Sequence, residues 1–254
     1  MKSIYLVANW KMNLSPVESL ALSKKIKAGV RFRSSQIPNI VVCPSFESIA
    51  EVGQIIGNSK LALGAQDVFW QERGSFTGEV SAASLVDLGC RYVIVGHSER
   101  RKYLAETNDM INRKIIMALN AGLIPIVCVG ETIEQRREHT QDLTVMTQVQ
   151  EALAGIALDQ EKKVLIAYEP VWVIGSGQAI DATEADRMSR VIRQALIDLF
   201  PLDTVNNQCH ILYGGSVDSE NIAEFMASQF LQGSLVGGAS LTAENFLSLI
   251  KAIV

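Results

Sequence analysis

Eight short, β-branched-rich runs alternate with longer amphipathic segments along 254 residues, and polar residues, glycines and a proline gather where those runs end. This pattern predicts an α/β fold, a single-domain (β/α)8 barrel with eight parallel strands spanning residues 1–254. Alternating β and α units imply parallel strands, and roughly 250 residues is an ordinary length for such a barrel. An open doubly wound sheet would share the alternation. The chain has neither a GxGxxG after its first run nor a GxxxxGK loop to support it.

The runs cover residues 4–9, 40–43, 61–65, 92–96, 124–130, 164–169, 211–214 and 234–238. They are nearly continuous in apolar residues, as strands buried on both faces must be. Between them, residues 16–30 place Val17, Leu20, Leu22, Ile26 and Val30 at near-helical spacing. Residues 107–120 repeat the pattern with Ile111, Ile115, Ile116 and Leu119, and Gly122 supplies a stop signal. Residues 181–199 and 242–250 read likewise, and the charged stretch 131–155 reads as two helical pieces.

Composition narrows the function. The net charge of −4, without a basic block, argues against a nucleic-acid partner. An anionic substrate would then depend on local positive groups. Cys43, Cys90, Cys128 and Cys209 sit in or beside apolar runs with no CxxC pair, which fits reduced, buried thiols and a cytoplasmic protein. Three scattered histidines argue against a His-rich metal centre. The N-terminal apolar stretch is too short for a signal peptide, and no run approaches the roughly 18 apolar residues of a membrane span.

The most informative stretch is Ala167-Tyr168-Glu169-Pro170-Val171-Trp172-Val173-Ile174-Gly175-Ser176-Gly177. It places a carboxylate at a strand's C-terminal end, followed by a proline and two close glycines. Pro170 biases Glu169 towards extended backbone, and the pattern suggests a base followed by a mobile lid over residues 170–177. Asn9 and Lys11, two apart at the first run's end, would share one side of an extended chain. His97 follows the fourth run. Near a helix N-terminus its pKa would be lowered, favouring neutral imidazole, although a plain helix cap explains an isolated histidine as well. Cys128 ends the fifth run, where a packed thiol is the simpler reading. Gly214-Gly215-Ser216 and Gly237-Gly238 follow the last two runs, the place where barrels frequently bind phosphate through backbone N–H groups. One base, one acid, one lysine and a phosphate cradle suit proton transfer beside a carbonyl in a phosphorylated substrate.

Six segments then carry a close resemblance to the triosephosphate isomerase family. They are Asn9-Trp10-Lys11-Met12-Asn13, Phe76-Thr77-Gly78-Glu79, Gly96-His97-Ser98-Glu99-Arg100-Arg101, Ala167-Tyr168-Glu169-Pro170-Val171-Trp172, Tyr213-Gly214-Gly215-Ser216-Val217 and Val236-Gly237-Gly238-Ala239-Ser240. The resemblance implies a TIM barrel and a cofactor- and metal-free isomerase of glycolysis and gluconeogenesis. Such an enzyme interconverts dihydroxyacetone phosphate and D-glyceraldehyde 3-phosphate through an enediolate. It implies Glu169 as base, His97 as acid and proton shuttle, and Lys11 with Asn9 stabilising negative charge. Gly175, Ser216, Gly237 and Gly238 would bind phosphate, and Glu99 would pair with Lys11. It also implies a homodimer, with residues 66–79 inserting beside the partner's active site. A loop that long in a compact barrel calls for a role.

Two rival readings remain at this level. A Schiff-base aldolase would use Lys11 as nucleophile, leaving Glu169 and His97 without clear roles; borohydride trapping would expose it. A catalytically silent barrel acting as a binding or moonlighting protein would be expected to have lost Glu169, His97 or Lys11, and all three are present. The chain departs from the family pattern at Asp67, where asparagine is usual, and in the lid, where Val173 and Ser176 replace common alanine and threonine. Val173 is β-branched and stiffer, so lid kinetics should shift slightly with the chemistry retained. Stopped-flow closing rates and turnover of Val173→Ala check this; identical values in both proteins would refute it.

Overall fold

The computed structural model describes residues 3–30, 38–174 and 179–253. Strands β1 (Tyr5–Asn9), β2 (Asn39–Cys43), β3 (Leu61–Ala65), β4 (Cys90–Val95), β5 (Ile124–Val129), β6 (Val164–Tyr168), β7 (Cys209–Tyr213) and β8 (Leu231–Val236) pair in chain order, all parallel. β8 returns to β1 and closes the barrel. The (β/α)8 architecture read from the sequence is the one observed.

Helices α1 (Pro16–Gly29), α2 (Ile49–Ile56), α3 (Ala82–Asp87), α4 (Ser98–Leu104) and α5 (Asn108–Asn120) accompany the first half. Helices α6 (Ile133–Arg137), α7 (Gln141–Ala152), α8 (Ala182–Leu199), α9 (Leu202–Gln208), α10 (Ile222–Met226) and α11 (Ala243–Ala252) accompany the second. Local sequence explains their starts. Ser15 caps α1 in a reciprocal box with Glu18, and Pro16 occupies the first turn. Asp181 caps α8 and Thr242 caps α11 through side-chain oxygens. The stretch 131–155 does contain two helices, α6 and α7.

Strand periodicity divides the core. Val7, Val41, Ile94, Ile126, Leu165, Leu212 and Leu235 fill the barrel, while neighbours such as Leu6, Ala8, Ile40 and Ile166 pack outward in the layer shared with the helices. Each fully buried aliphatic side chain contributes about 1.5–3 kcal/mol of transfer free energy, so this double layer is the main cohesive element.

Several sequence readings need correction. Val17 is 76% exposed, because α1 buries Ser19, Leu22, Ser23 and Ile26 instead. Ile116 is 38% exposed, whereas Lys114 on the same helix is buried. Lys114 Nζ donates to Asp67 Oδ1 and Oδ2 at 2.7 and 2.8 Å and to Glu106 Oε1. Arg100 joins this cluster at 2.8 Å from Asp67 and 2.6 Å from Glu106. Asp67 is thus turned into its own subunit. Burial pushes its pKa up to about 6 against the pull of Lys114. The last strand begins at Leu231, earlier than the apolar run at 234, because Gly233 pairs with Tyr5. A Cβ at Gly233, with φ +147°, would lie 1.8 Å from Tyr5 O, so glycine alone permits this approach.

The barrel floor holds a titratable group. His210 is 5% exposed, its ring 5.0 Å from that of Tyr5. Burial, then the charge of Lys163, lowers its pKa to about 4, with Gln232 pulling weakly the other way. The folded protein therefore binds this proton less readily than the unfolded chain. Stability from the neutral ring is full above the unfolded value near 6.5 and declines as pH falls towards 4. Chemical denaturation should show wild type losing about 1–2 kcal/mol more than His210→Phe between pH 7 and pH 5. Equal losses in the two proteins would remove His210 as the cause.

Candidate active site

The strand C-terminal ends surround a cavity of about 460 Å³ that is lined by Asn9, Lys11, His97, Glu169, Ser216, Gly237 and Gly238, among others. Of the residues singled out in the sequence, those seven converge there. Gly175, with Ser176 and Gly177 of the expected lid, lies outside the described residues.

Lys11 has φ +51°, a left-handed conformation unusual for a residue with a side chain. Its amide donates to Asn9 Oδ1 at 3.0 Å, and Gln66 Nε2 donates to its carbonyl at 2.8 Å. The turn after β1 is held from both sides, and it aims the ammonium at the cavity. Lys11 Nζ donates to Glu99 Oε1 at 2.6 Å. This is the pairing expected for Glu99.

Glu169 is 2% exposed and follows β6 directly. Its amide donates to Val129 O at 2.7 Å, extending the β5–β6 ladder by one residue. Its carboxylate accepts from Ser98 N–H at 2.8 Å through Oε2 and lies 2.9 Å from His97 Nε2 through Oε1. Burial disfavours the charged form, but His97 and the Ser98 amide outweigh it and hold the pKa below the usual carboxylate value. Two glycines make room for this residue. A Cβ at Gly214 would sit 2.9 Å from Glu169 Cγ, and one at Gly130 would sit 1.7 Å from Glu169 O.

His97 caps α4, and its Nδ1 accepts from Glu99 N–H at 3.2 Å. A helix amide pointing at Nδ1 leaves the hydrogen on Nε2, the atom facing Glu169. The expected lowering of its pKa does not occur. Burial and Lys11 act in that direction, but the Glu169 carboxylate and then Glu99 prevail and raise it. Sequence proximity to a helix start could not report a carboxylate arriving from β6.

Sequence reasoning missed Glu131. Fully buried after β5, its carboxylate accepts from Tyr168 Oη at 3.1–3.2 Å, Trp172 Nε1 at 2.9 Å and Arg136 Nη1 at 3.0 Å. It ties Trp172, just after β6, to the barrel. Val173 is buried beside Trp172 in a short 3-10 turn. The only available signal was an acid directly after an apolar run. Arg101 was also missed as a brace: it donates to Gly96 O at 2.9 Å and Cys128 O at 3.1 Å. Cys128 is fully buried, and burial followed by Glu169 raises its pKa well above the usual thiol value. It is a packed, protonated thiol, and all four cysteines are unpaired and buried.

Comparison with known proteins agrees with this geometry. The triosephosphate isomerase family profile matches residues 4–253. Triosephosphate isomerase of Thermoanaerobacter pseudethanolicus is 41% identical over 251 residues, covering 99% of this chain and all of that protein. That of Dehalococcoides mccartyi is 44% identical over 253 residues, covering 99% and 97% respectively. The crystal structure of triosephosphate isomerase from Bartonella henselae superimposes with a TM-score of 0.87 at 30% identity, covering 98% of both chains.

Proposed function

The chain belongs to the triosephosphate isomerase family, and we propose the following division of labour for its interconversion of dihydroxyacetone phosphate and D-glyceraldehyde 3-phosphate, a step of glycolysis and gluconeogenesis. Glu169 removes a proton from the carbon beside the carbonyl, and the C–H electron pair becomes the C=C bond of an enediolate. His97 gives its Nε2 proton to the carbonyl oxygen as that oxygen gains charge. It then takes a proton from the neighbouring oxygen, and Glu169 returns its proton to the other carbon. The protons are exchanged internally, so the balanced reaction needs no external acceptor.

The contact between the two groups supports this reading through electrostatics. Glu169 and His97 touch at 2.9 Å, so each occupies the place of the other's substrate contact. A substrate carbonyl entering between them would take the His97 hydrogen. Glu169 would lose the interaction that lowers its pKa and become a stronger base at the moment it meets the C–H. Lys11 supplies positive charge and Asn9 a neutral amide to the oxygens, where preorganised donors contribute most. Backbone N–H groups at Ser216, Gly237, Gly238 and Gly175 take the phosphate. The lid over residues 170–177 excludes water, protecting the enediolate from losing phosphate.

The observation that carries this assignment is the joint presence of a buried carboxylate, a histidine in contact with it and a lysine around one cavity. Glu169→Gln should lower kcat/KM for D-glyceraldehyde 3-phosphate by about 10²–10⁴-fold with little change in folding. Wild-type turnover in that variant would refute Glu169 as base.

We further propose a homodimer in the cytoplasm. Met12 is 93% exposed and borders a recess of about 170 Å³ with Phe46, Gln66 and Glu99, beside Lys11 and His97. Loop residues 66–79 carry an exposed Phe76 beside Thr77 near their tip, braced by Phe69 at 4.7 Å. A partner's loop would cover Met12 and Phe46. No helix among the described residues is long and apolar enough to cross a membrane, and unpaired buried thiols fit a reducing compartment. Sedimentation should give twice the chain mass, and Phe76→Asp should shift it to one. A wild type that sediments as a single chain at micromolar concentration overturns the dimer.

A further inference from the structure

Strand β5 reaches further out of the barrel than β4. Its pairing with β4 ends at Val95 and Val127, yet its contacts with β6 continue. Glu169 N–H donates to Val129 O at 2.7 Å, and Val171 N–H donates to Glu131 O at 3.1 Å. Consecutive residues of a strand turn their peptide groups to opposite sides. Val129 and Glu131 therefore face β6, while Cys128 and Gly130 face the side where β4 has stopped. Backbone groups left there without partners would be costly.

Two side chains stand in for the missing strand. Arg101 Nη2 donates to Cys128 O at 3.1 Å. Gln148, reaching in from α7, accepts from Gly130 N–H at 2.7 Å through Oε1 and donates to Gly130 O at 3.1 Å through Nε2. A primary amide has the same donor and acceptor pair as a peptide group, and the backbone N–H leaves only one orientation of it in place. The clamped residue lies against the base itself, since a Cβ at Gly130 would fall 1.7 Å from Glu169 O.

We propose that Gln148 is a positioning residue for the isomerisation: by clamping the backbone of Gly130 it fixes the carbonyls of Val129 and Glu131, which accept from the N–H groups of Glu169 and Val171 and so hold the chain at Glu169. It touches no reacting atom and acts through Gly130. The same clamp sets the approach of the Glu131 side chain, which holds Trp172 at the root of the lid. The proposal rests on Glu169 being the base, as assigned above.

Gln148→Met keeps the side-chain length and removes both hydrogen bonds. In the full-length protein it should lower kcat about ten- to a hundredfold, the order expected when a catalytic group is displaced by up to an ångström. KM should stay nearly constant, because the phosphate cradle lies on β7 and β8, across the cavity. The acid limb of kcat/KM should move to higher pH as Glu169 loses alignment with Ser98 N–H and His97. Amide hydrogens of Glu169 and Val171 should exchange faster while those of β1 to β3 keep their protection. If Gln148→Met does not fold, Gln148→Glu is read by the same measurements, since it keeps the acceptor for Gly130 N–H and loses the donor to its carbonyl. A lowered melting temperature with wild-type kcat, acid limb and exchange at 169 and 171 would reduce Gln148 to helix packing and overturn the proposal. Should Glu169→Gln retain wild-type turnover, the assignment of the base fails instead. The exchange data then still decide whether Gln148 holds residues 169 and 171.

Discussion

A carboxylate shut away from water is unstable unless other groups replace its hydration, and the barrel mouth is organised around meeting that demand for Glu169. Ser98 N–H and His97 Nε2 supply the replacement, one to each oxygen. Both come from the turn between β4 and α4, while the carboxylate comes from β6. The contact therefore exists only if the strands close in register. Gly130 and Gly214 complete the condition by leaving space where any side chain would strike Glu169. The histidine orientation, the Trp172 contact and the helper side chains around β5 are placed around this one buried charge.

The same interaction sets the proton affinities of both partners. Contact with His97 lowers the pKa of Glu169 and raises that of His97. In the proposed division of labour each partner is thereby held in the state opposite to its task, a weak base beside a reluctant acid. In the proposed reaction a bound carbonyl would separate them, and exclusion of water would strengthen the electrostatic contacts that remain. Lys11 enters this scheme through a strained turn. Its left-handed backbone is tolerated because Asn9 and Gln66 hold both its amide and its carbonyl. Strain of this kind is retained where geometry at a site outweighs its cost in stability.

Away from the mouth, the ion cluster of Asp67, Arg100, Glu106 and Lys114 shows how context changes a residue's meaning. Lys114 sits on the buried face of α5, a position that helical spacing alone assigns to an apolar side chain. It is accepted there because two carboxylates converge on it, and a buried ion of either sign without such partners would be strongly destabilising. Asp67 gives the cluster two acids for two bases. The loop that follows β3 starts from this anchored point, one turn of α4 away from His97.

Much of this was legible in the linear chain. Alternating β-branched runs and amphipathic segments sufficed for the barrel, because strand and helix periodicities are local properties of neighbouring residues. Strand ends located Glu169, His97, Lys11 and the glycine pairs, because a parallel barrel gathers all those ends at one mouth. What only the tertiary structure decided involves partners far apart in sequence. Ser98 meets Glu169 across 71 positions, Lys114 meets Asp67 across 47, and Gln148 clamps Gly130 across 18, from α7. The burial of Lys114, the raised pKa of His97, the start of β8 at Leu231 and the hub at Glu131 all follow from such meetings. Periodicity tells which face of an element is apolar. Which polar groups arrive opposite one another is set by closure of the barrel, and a buried charge or peptide group takes its character from the group it meets there.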